Sequence, residues 1–134
     1  MTRQVGAPAR ILIVDDHELL RRGVRSLLSG DSRFEVCGEA ENGQEGIEKV
    51  RELNPELVTL DVSMPVLNGL EAARQIRRLF PSIKILILSM HDSPQMAEEL
   101  RQAGADAVMV KIAPAGELVA TVERLLQLTP RKPA

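Results

Sequence analysis

Four short apolar runs constrain this chain most: Ile11-Leu12-Ile13-Val14, Leu57-Val58-Thr59-Leu60, Ile83 to Leu88, and Ala107-Val108-Met109-Val110. Each is too short and too rich in β-branched residues to be a helix of its own. Their apolarity is nearly continuous rather than alternating, which is how a strand reads when helices cover both faces of a parallel sheet. A fifth run, Phe34 to Ala40, does alternate: Phe34, Val36, Gly38 and Ala40 stand against Glu35, Cys37 and Glu39. That pattern predicts an edge strand.

Helical stripes lie between the runs. Leu20, Val24, Leu27 and Leu28 form one, and Ile47, Val50 and Leu53 a second. Ala73, Ile76 and Phe80 form a third, and Leu118, Val122, Leu125 and Leu126 another. Residues 94–103 carry a thin stripe, mainly Ala97 and Leu100, and that helix is expected to be the least firmly held. Boundary residues agree: Asn42 with Glu45 as a capping pair, Ser93-Pro94 as a cap with proline at the first helical position, and Gly30 and Gly104 as stops. The order is β-α five times over. Right-handed crossovers then require an α/β fold with a doubly wound, five-stranded parallel sheet.

At 134 residues the chain fits one domain with a sizeable core. Its net charge of −2 offers no nucleic-acid or membrane surface. A lone cysteine, Cys37, cannot form an intrachain disulfide and reads as a small buried hydrophobe. No apolar run approaches the ~20 residues of a bilayer span. The start, MTRQVGAPAR, lacks the hydrophobic stretch of a signal peptide, so a cytoplasmic protein is expected. The expected organisation is an N-terminal extension over 1–9, a domain over 10–128 and a tail or linker over 129–134.

In a parallel sheet all carboxyl ends of the strands share one edge, and ligands bind there. Asp15 and Asp16 follow the first run, Asp61 ends the third strand, Ser89 follows the fourth and Lys111 the fifth. Three carboxylates, a hydroxyl and an ammonium therefore converge. Clustered carboxylates repel, and a hard cation such as Mg²⁺ relieves them by binding one or two together with phosphate oxygens and water. An aspartate can act as a nucleophile and become an acyl phosphate. Phosphoryl transfer then needs chiefly positioning and neutralisation of the equatorial oxygens. Singly, each residue has a plain alternative. Asp16 can cap the helix near His17, Asp61 can be a turn residue before Ser63-Met64-Pro65, and Lys111 can be a solvated chain. His17, His91 and the Arg21, Arg22, Arg25 run read as exposed positions without a chemical part.

The segments ILIVDDHELLRRGVRSLL, LVTLDVSMPVLNGLEAARQIR, ILILSMHD and GADAVMVK resemble a response-regulator receiver domain of the NarL/FixJ (LuxR-type) class. The resemblance runs from Arg10 to about Leu128. It implies strand order 2-1-3-4-5 and Asp61 as phosphoacceptor. It also implies Mg²⁺ held by Asp15, Asp16, the Asp61 carboxylate and the backbone carbonyl of Ser63. Ser89 would be the switch hydroxyl and Lys111 the contact to phosphoryl oxygens, while Ser63 and His91 would tune phosphoryl hydrolysis. The implied partners are a sensor histidine kinase and a second copy in a phosphorylation-dependent homodimer, with DNA reached only through an output domain absent from this chain; a stand-alone receiver acting through protein contacts is the alternative. Chemistry is limited to self-phosphorylation and self-dephosphorylation at Asp61. Departures from the family are Val108 where an aromatic is common, and the apolar approach KIAPAGE over residues 111–117.

Two other readings compete. A Mg²⁺-dependent aspartyl-phosphate phosphohydrolase wants an acid two positions after its nucleophile, where this chain has Ser63. A flavin or nucleotide binder wants stacking aromatics, and only Phe34 and Phe80 are present. It also wants a glycine-rich first loop, which Asp15-Asp16-His17 occupies.

Overall fold

Apolar runs and helical stripes resolve into ten alternating elements in a computed structural model, which describes residues 7–64, 66–90, 93–111 and 113–128. They are β1 (Ala9–Val14), α1 (Glu18–Ser29), β2 (Phe34–Ala40), α2 (Gly43–Leu53) and β3 (Leu57–Asp61), then α3 (Gly69–Leu79), β4 (Lys84–Ser89), α4 (Pro94–Ala103), β5 (Ala107–Val110) and α5 (Ala115–Leu125). All neighbouring strands are parallel, in the order β2-β1-β3-β4-β5. The doubly wound sheet and its strand order are as expected. β1 starts at Ala9, inside the stretch expected as extension, because Ala9 pairs with Phe34 and is fully buried. The expected tail over 129–134 lies outside the described residues.

The sheet separates two apolar layers. On one face Leu12, Val14, Val58, Leu60, Ile85 and Ile87 pack against α2, α3 and α4. On the other, Ile11, Ile13, Leu57, Leu86 and Leu88 pack against α1 and α5. Strands that alternate between two buried layers show no polar face, which is why their sequences read as continuous.

β2 departs from its expected alternation. Register slips between Ile11↔Val36 and Leu12↔Gly38, leaving Cys37 as an extra residue. Phe34 and Val36 join the α1/α5 layer, but Cys37 and Ala40 join the opposite one. One inserted residue inverts every later side chain of a period-two strand, so the expectation that Phe34, Val36, Gly38 and Ala40 share a face is corrected. The slip also aims Glu39 at α1, where Arg21 and Arg25 bind it. Burial pushes the Glu39 carboxyl up, but the two guanidinium hydrogen bonds outweigh it and hold it below its ordinary value.

Helix ends follow the sequence signals. Asn42 Oδ1 accepts from the Glu45 amide at 2.8 Å, and Ser93 Oγ from that of Met96 at 3.2 Å. Gly30 and Gly104 close α1 and α4. α4 buries only Leu100 and Ala103, in keeping with its thin stripe. In α1 the expected stripe is only half used: Leu28 is buried and Val24 half-buried, whereas Leu20, Leu27 and the off-stripe Leu19 remain exposed.

Candidate functional site

Asp15 follows β1 directly, Asp61 and Ser89 end β3 and β4, and Lys111 follows β5, so the sheet delivers four of the expected residues to one edge. Asp15, Asp61 and Ser89 are buried, Asp61 to 2% exposure. Lys111 is not a solvated chain. Its side chain is only 3% exposed, and its ammonium lies 2.9 Å from Asp15 Oδ2 and 3.0 Å from Asp61 Oδ1. Asp16 stands at the rim and does not cap the helix, since the residue preceding α1 is His17. Asp61 Oδ1 also accepts from the Ser63 amide at 3.3 Å, so the turn-residue role is real and coexists with the charged cluster.

Three carboxylates against one ammonium leave excess negative charge in a buried site. Burial pushes the Asp61 carboxyl above its ordinary value, and the Asp15 carboxylate adds to the rise while Lys111 opposes it. Asp61 Oδ2 is buried without a hydrogen-bond partner among the described residues. Asp15, Asp16, His17 and Asp61 each offer one donor atom, and these lie within 4.8 Å of one another. A buried, unpaired carboxylate oxygen aimed into a compact acidic set fits a divalent cation.

Backbone packing holds Asp61 in place. The loop after β3 is fastened by Val62 N–H to the Leu88 carbonyl at 3.1 Å and Gly69 N–H to the Val62 carbonyl at 2.9 Å. Gly43 N–H reaches the Leu67 carbonyl at 3.0 Å. Both glycines open helices immediately after a capping asparagine, and neither has room for a side chain. A Cβ on Gly69 would sit 2.3 Å from the Asp61 carbonyl oxygen, and one on Gly43 2.2 Å from that of Leu67. Ser89 Oγ lies 4.0 Å from Met96 Sδ, which links the end of β4 to α4.

Several residues were read differently from sequence. Arg21 is not part of a solvated face: its side chain is 12% exposed, and Nη1 donates to the Asp15 carbonyl at 2.7 Å while Nε binds Glu39. Arg22 and Arg25 are exposed as expected. His17 Nδ1 turns inward, 3.2 Å from Asp15 Oδ1, 3.1 Å from Asp16 Oδ1 and 3.8 Å from Asp61 Oδ2. The glycines of Asn42-Gly43 and Asn68-Gly69, each a cap followed by glycine in a first turn, were a signal that went unread. His91 lies outside the described residues.

The model of the response regulator receiver domain family matches residues 11–123. The chain is 35% identical over 118 residues to the transcriptional regulatory protein DegU of Brevibacillus brevis, covering 88% of this chain and 50% of that protein. It is 39% identical over 113 residues to the response regulator GacA of Pseudomonas viridiflava, covering 84% and 53%. The chain thus spans about half the length of these curated relatives. Among solved structures, the signal receiver domain of the putative response regulator NarL from Mycobacterium tuberculosis superposes with a TM-score of 0.86 at 30% identity, covering 90% of this chain and 97% of that one. Family model, relatives and fold agree over nearly the same residues, and the chain belongs to the response-regulator receiver family of two-component systems.

Proposed function

We propose that Asp61 accepts a phosphoryl group from the phosphohistidine of a sensor histidine kinase, and that the added charge switches the conformation around Ser89 and α4. The observation that carries this reading is the Asp61 carboxylate itself. It is buried at the end of β3, Lys111 is 3.0 Å from one oxygen, the other oxygen is unpaired among the described residues, and two further carboxylates stand beside it. Mg²⁺ would be held by Asp15, Asp16, Asp61 and the Ser63 backbone carbonyl, and when bound it supplies neutralisation of carboxylate and phosphoryl oxygens.

The residues of the chain then divide the work. An Asp61 oxygen forms the new O–P bond as the P–N bond of the phosphoimidazole breaks and its electron pair returns to the ring nitrogen. Lys111, already placed against Asp61, donates to a phosphoryl oxygen. The Ser89 hydroxyl donates to another, moving away from Met96. The chemistry is confined to gain and loss of this one group, without turnover of a separate substrate. Val108 cannot follow Ser89 as an aromatic would, being short and stiff about its first torsion. It borders a groove of about 270 Å³ with Ser93, Pro94, Ala97 and Arg101.

DegU is a transcriptional regulatory protein, and transcriptional control is the output we assign here, with a phosphorylation-dependent homodimer as the active form. The exposed leucines of α1, including Leu19 at 81%, provide apolar surface for such a pairing. A net charge of −2 opposes phosphate binding, and we assign no DNA contact to these residues. No helix among the described residues is long and apolar enough to cross a membrane. Intact mass after incubation with acetyl phosphate and Mg²⁺ tests the core of the proposal. Wild type should gain one phosphoryl mass, labile to hydroxylamine, and EDTA or Asp61→Asn should abolish it. Stable labelling of Asp61→Asn at another residue overturns the assignment.

A further inference from the structure

We propose that His17 is a nitrogen ligand of the cation site and raises its affinity for nitrogen-binding first-row ions such as Co²⁺ relative to Mg²⁺. This rests on the reading of Asp15, Asp16 and Asp61 as the metal set and adds a fourth donor of different chemistry. The imidazole immediately precedes α1 and makes no capping hydrogen bond there. Its half-exposed ring is free to face solvent, yet Nδ1 points into the carboxylates, 3.1 Å from Asp16 and 3.2 Å from Asp15. The buried, unpaired Asp61 Oδ2 lies 3.8 Å away, on the same side.

Those separations suit ligation. Donors bound at about 2.1 Å to one octahedral ion stand roughly 3 Å apart at adjacent positions and roughly 4 Å apart across it. The four donor atoms fall within 4.8 Å of one another, so small adjustments bring them to a common centre. The backbone also holds the ring near: the His17 amide donates to Asp15 Oδ1 at 2.8 Å, the same oxygen that Nδ1 approaches. Carboxylates alone suit hard Mg²⁺ and Ca²⁺, whereas an imidazole nitrogen favours Co²⁺, Ni²⁺ or Zn²⁺, which bind nitrogen well. Mixed oxygen and nitrogen donors therefore shift preference between ions without closing the site to Mg²⁺.

Calorimetric titration of Co²⁺ and Mg²⁺ into wild type, His17→Ala and His17→Asn tests the proposal, with proton NMR of the Co²⁺-loaded protein. The ratio of Co²⁺ to Mg²⁺ affinity should fall at least tenfold in both variants. Wild type should show a hyperfine-shifted, exchangeable imidazole N–H resonance. That signal should vanish in His17→Ala and persist in His91→Ala, which assigns it between the only two histidines of the chain. Equal changes for both ions, whether loss, gain or none, overturn the proposal, because a ring acting only as a counter-charge does not discriminate. A missing resonance overturns it as well. If wild type binds neither ion, the carboxylate set falls together with the proposal. Normal Mg²⁺ binding with an unchanged ratio removes His17 alone.

Discussion

Gly69→Ala is the substitution that most sharply tests how the fold places Asp61. The new Cβ would lie 2.3 Å from the Asp61 carbonyl oxygen and 2.9 Å from Val62 Cα, where ordinary contact begins near 3.4 Å. Either the start of α3 or the end of β3 must retreat by about 1 Å. α3 cannot move freely, because Ala72, Ala73 and Ile76 are fully buried against the sheet. Strain of this kind costs about 1–3 kcal/mol, or roughly 3–15 °C in melting temperature for a domain of this size. A 1 Å displacement of a reacting group costs about 100-fold in rate.

Thermal melts and the rate of phosphoryl gain from acetyl phosphate, followed by intact mass, read the two effects separately. Gly23→Ala serves as the control: it lies inside α1 with nothing within 4 Å of its Cβ, so it should stabilise by about 0.5–1 kcal/mol and react normally. A Gly69→Ala protein that melts and reacts like wild type refutes the argument. One that melts early but reacts at the normal rate shows that α3 absorbs the displacement and that Gly69 has no part in positioning Asp61.

Three further outcomes are expected. Because burial raises the Asp61 carboxyl, the folded state holds its proton to higher pH than the unfolded chain, so ionised Asp61 costs stability as pH rises through that interval. Without metal, Asp61→Asn should therefore be more stable than wild type at neutral pH by on the order of 1 kcal/mol, a gap that closes in acid below the ordinary carboxyl range. Mg²⁺ at tenfold over its dissociation constant should raise wild type alone by about 1.4 kcal/mol, and melts across pH with and without Mg²⁺ check both statements. Ser89→Ala should still gain phosphate but lose most of the switch in α4, because a hydrogen bond to a charged group carries about 1.5–3 kcal/mol, a shift of one to two powers of ten. Hydrogen exchange of 93–103 with and without beryllofluoride should show this, with Val108→Ala responding like wild type. A wild-type response from Ser89→Ala removes the hydroxyl from the switch.

The residues that were legible in the sequence share one property: their positions follow from strand direction alone. Asp15, Asp61, Ser89 and Lys111 sit at or just beyond strand ends, and a parallel sheet brings such positions to one edge whatever the side chains do. Arg21 and the facing of β2 beyond Cys37 were misread, and the inward ring of His17 and the closed space at Gly69 went unread, because each depends on a contact that spacing along one element does not show. Arg21 looks solvated by helical spacing, but its guanidinium reaches back to the Asp15 carbonyl, and a one-residue bulge at Cys37 turns the half-buried Glu39 toward it as a second partner. The bulge leaves no mark in a string of alternating residues, since the inserted cysteine resembles the small residues around it. His17 is exposed, as its position suggested, but its ring faces the neighbouring Asp15 and Asp16 and the distant Asp61, a direction that spacing in the sequence does not show. Gly69 is set by contact with the strand end before it: its lack of a Cβ, rather than any group it carries, allows α3 to begin against the Asp61 carbonyl. Positions at strand ends are thus written locally, whereas the groups around them are set by contacts between elements that the spacing within one element does not reveal.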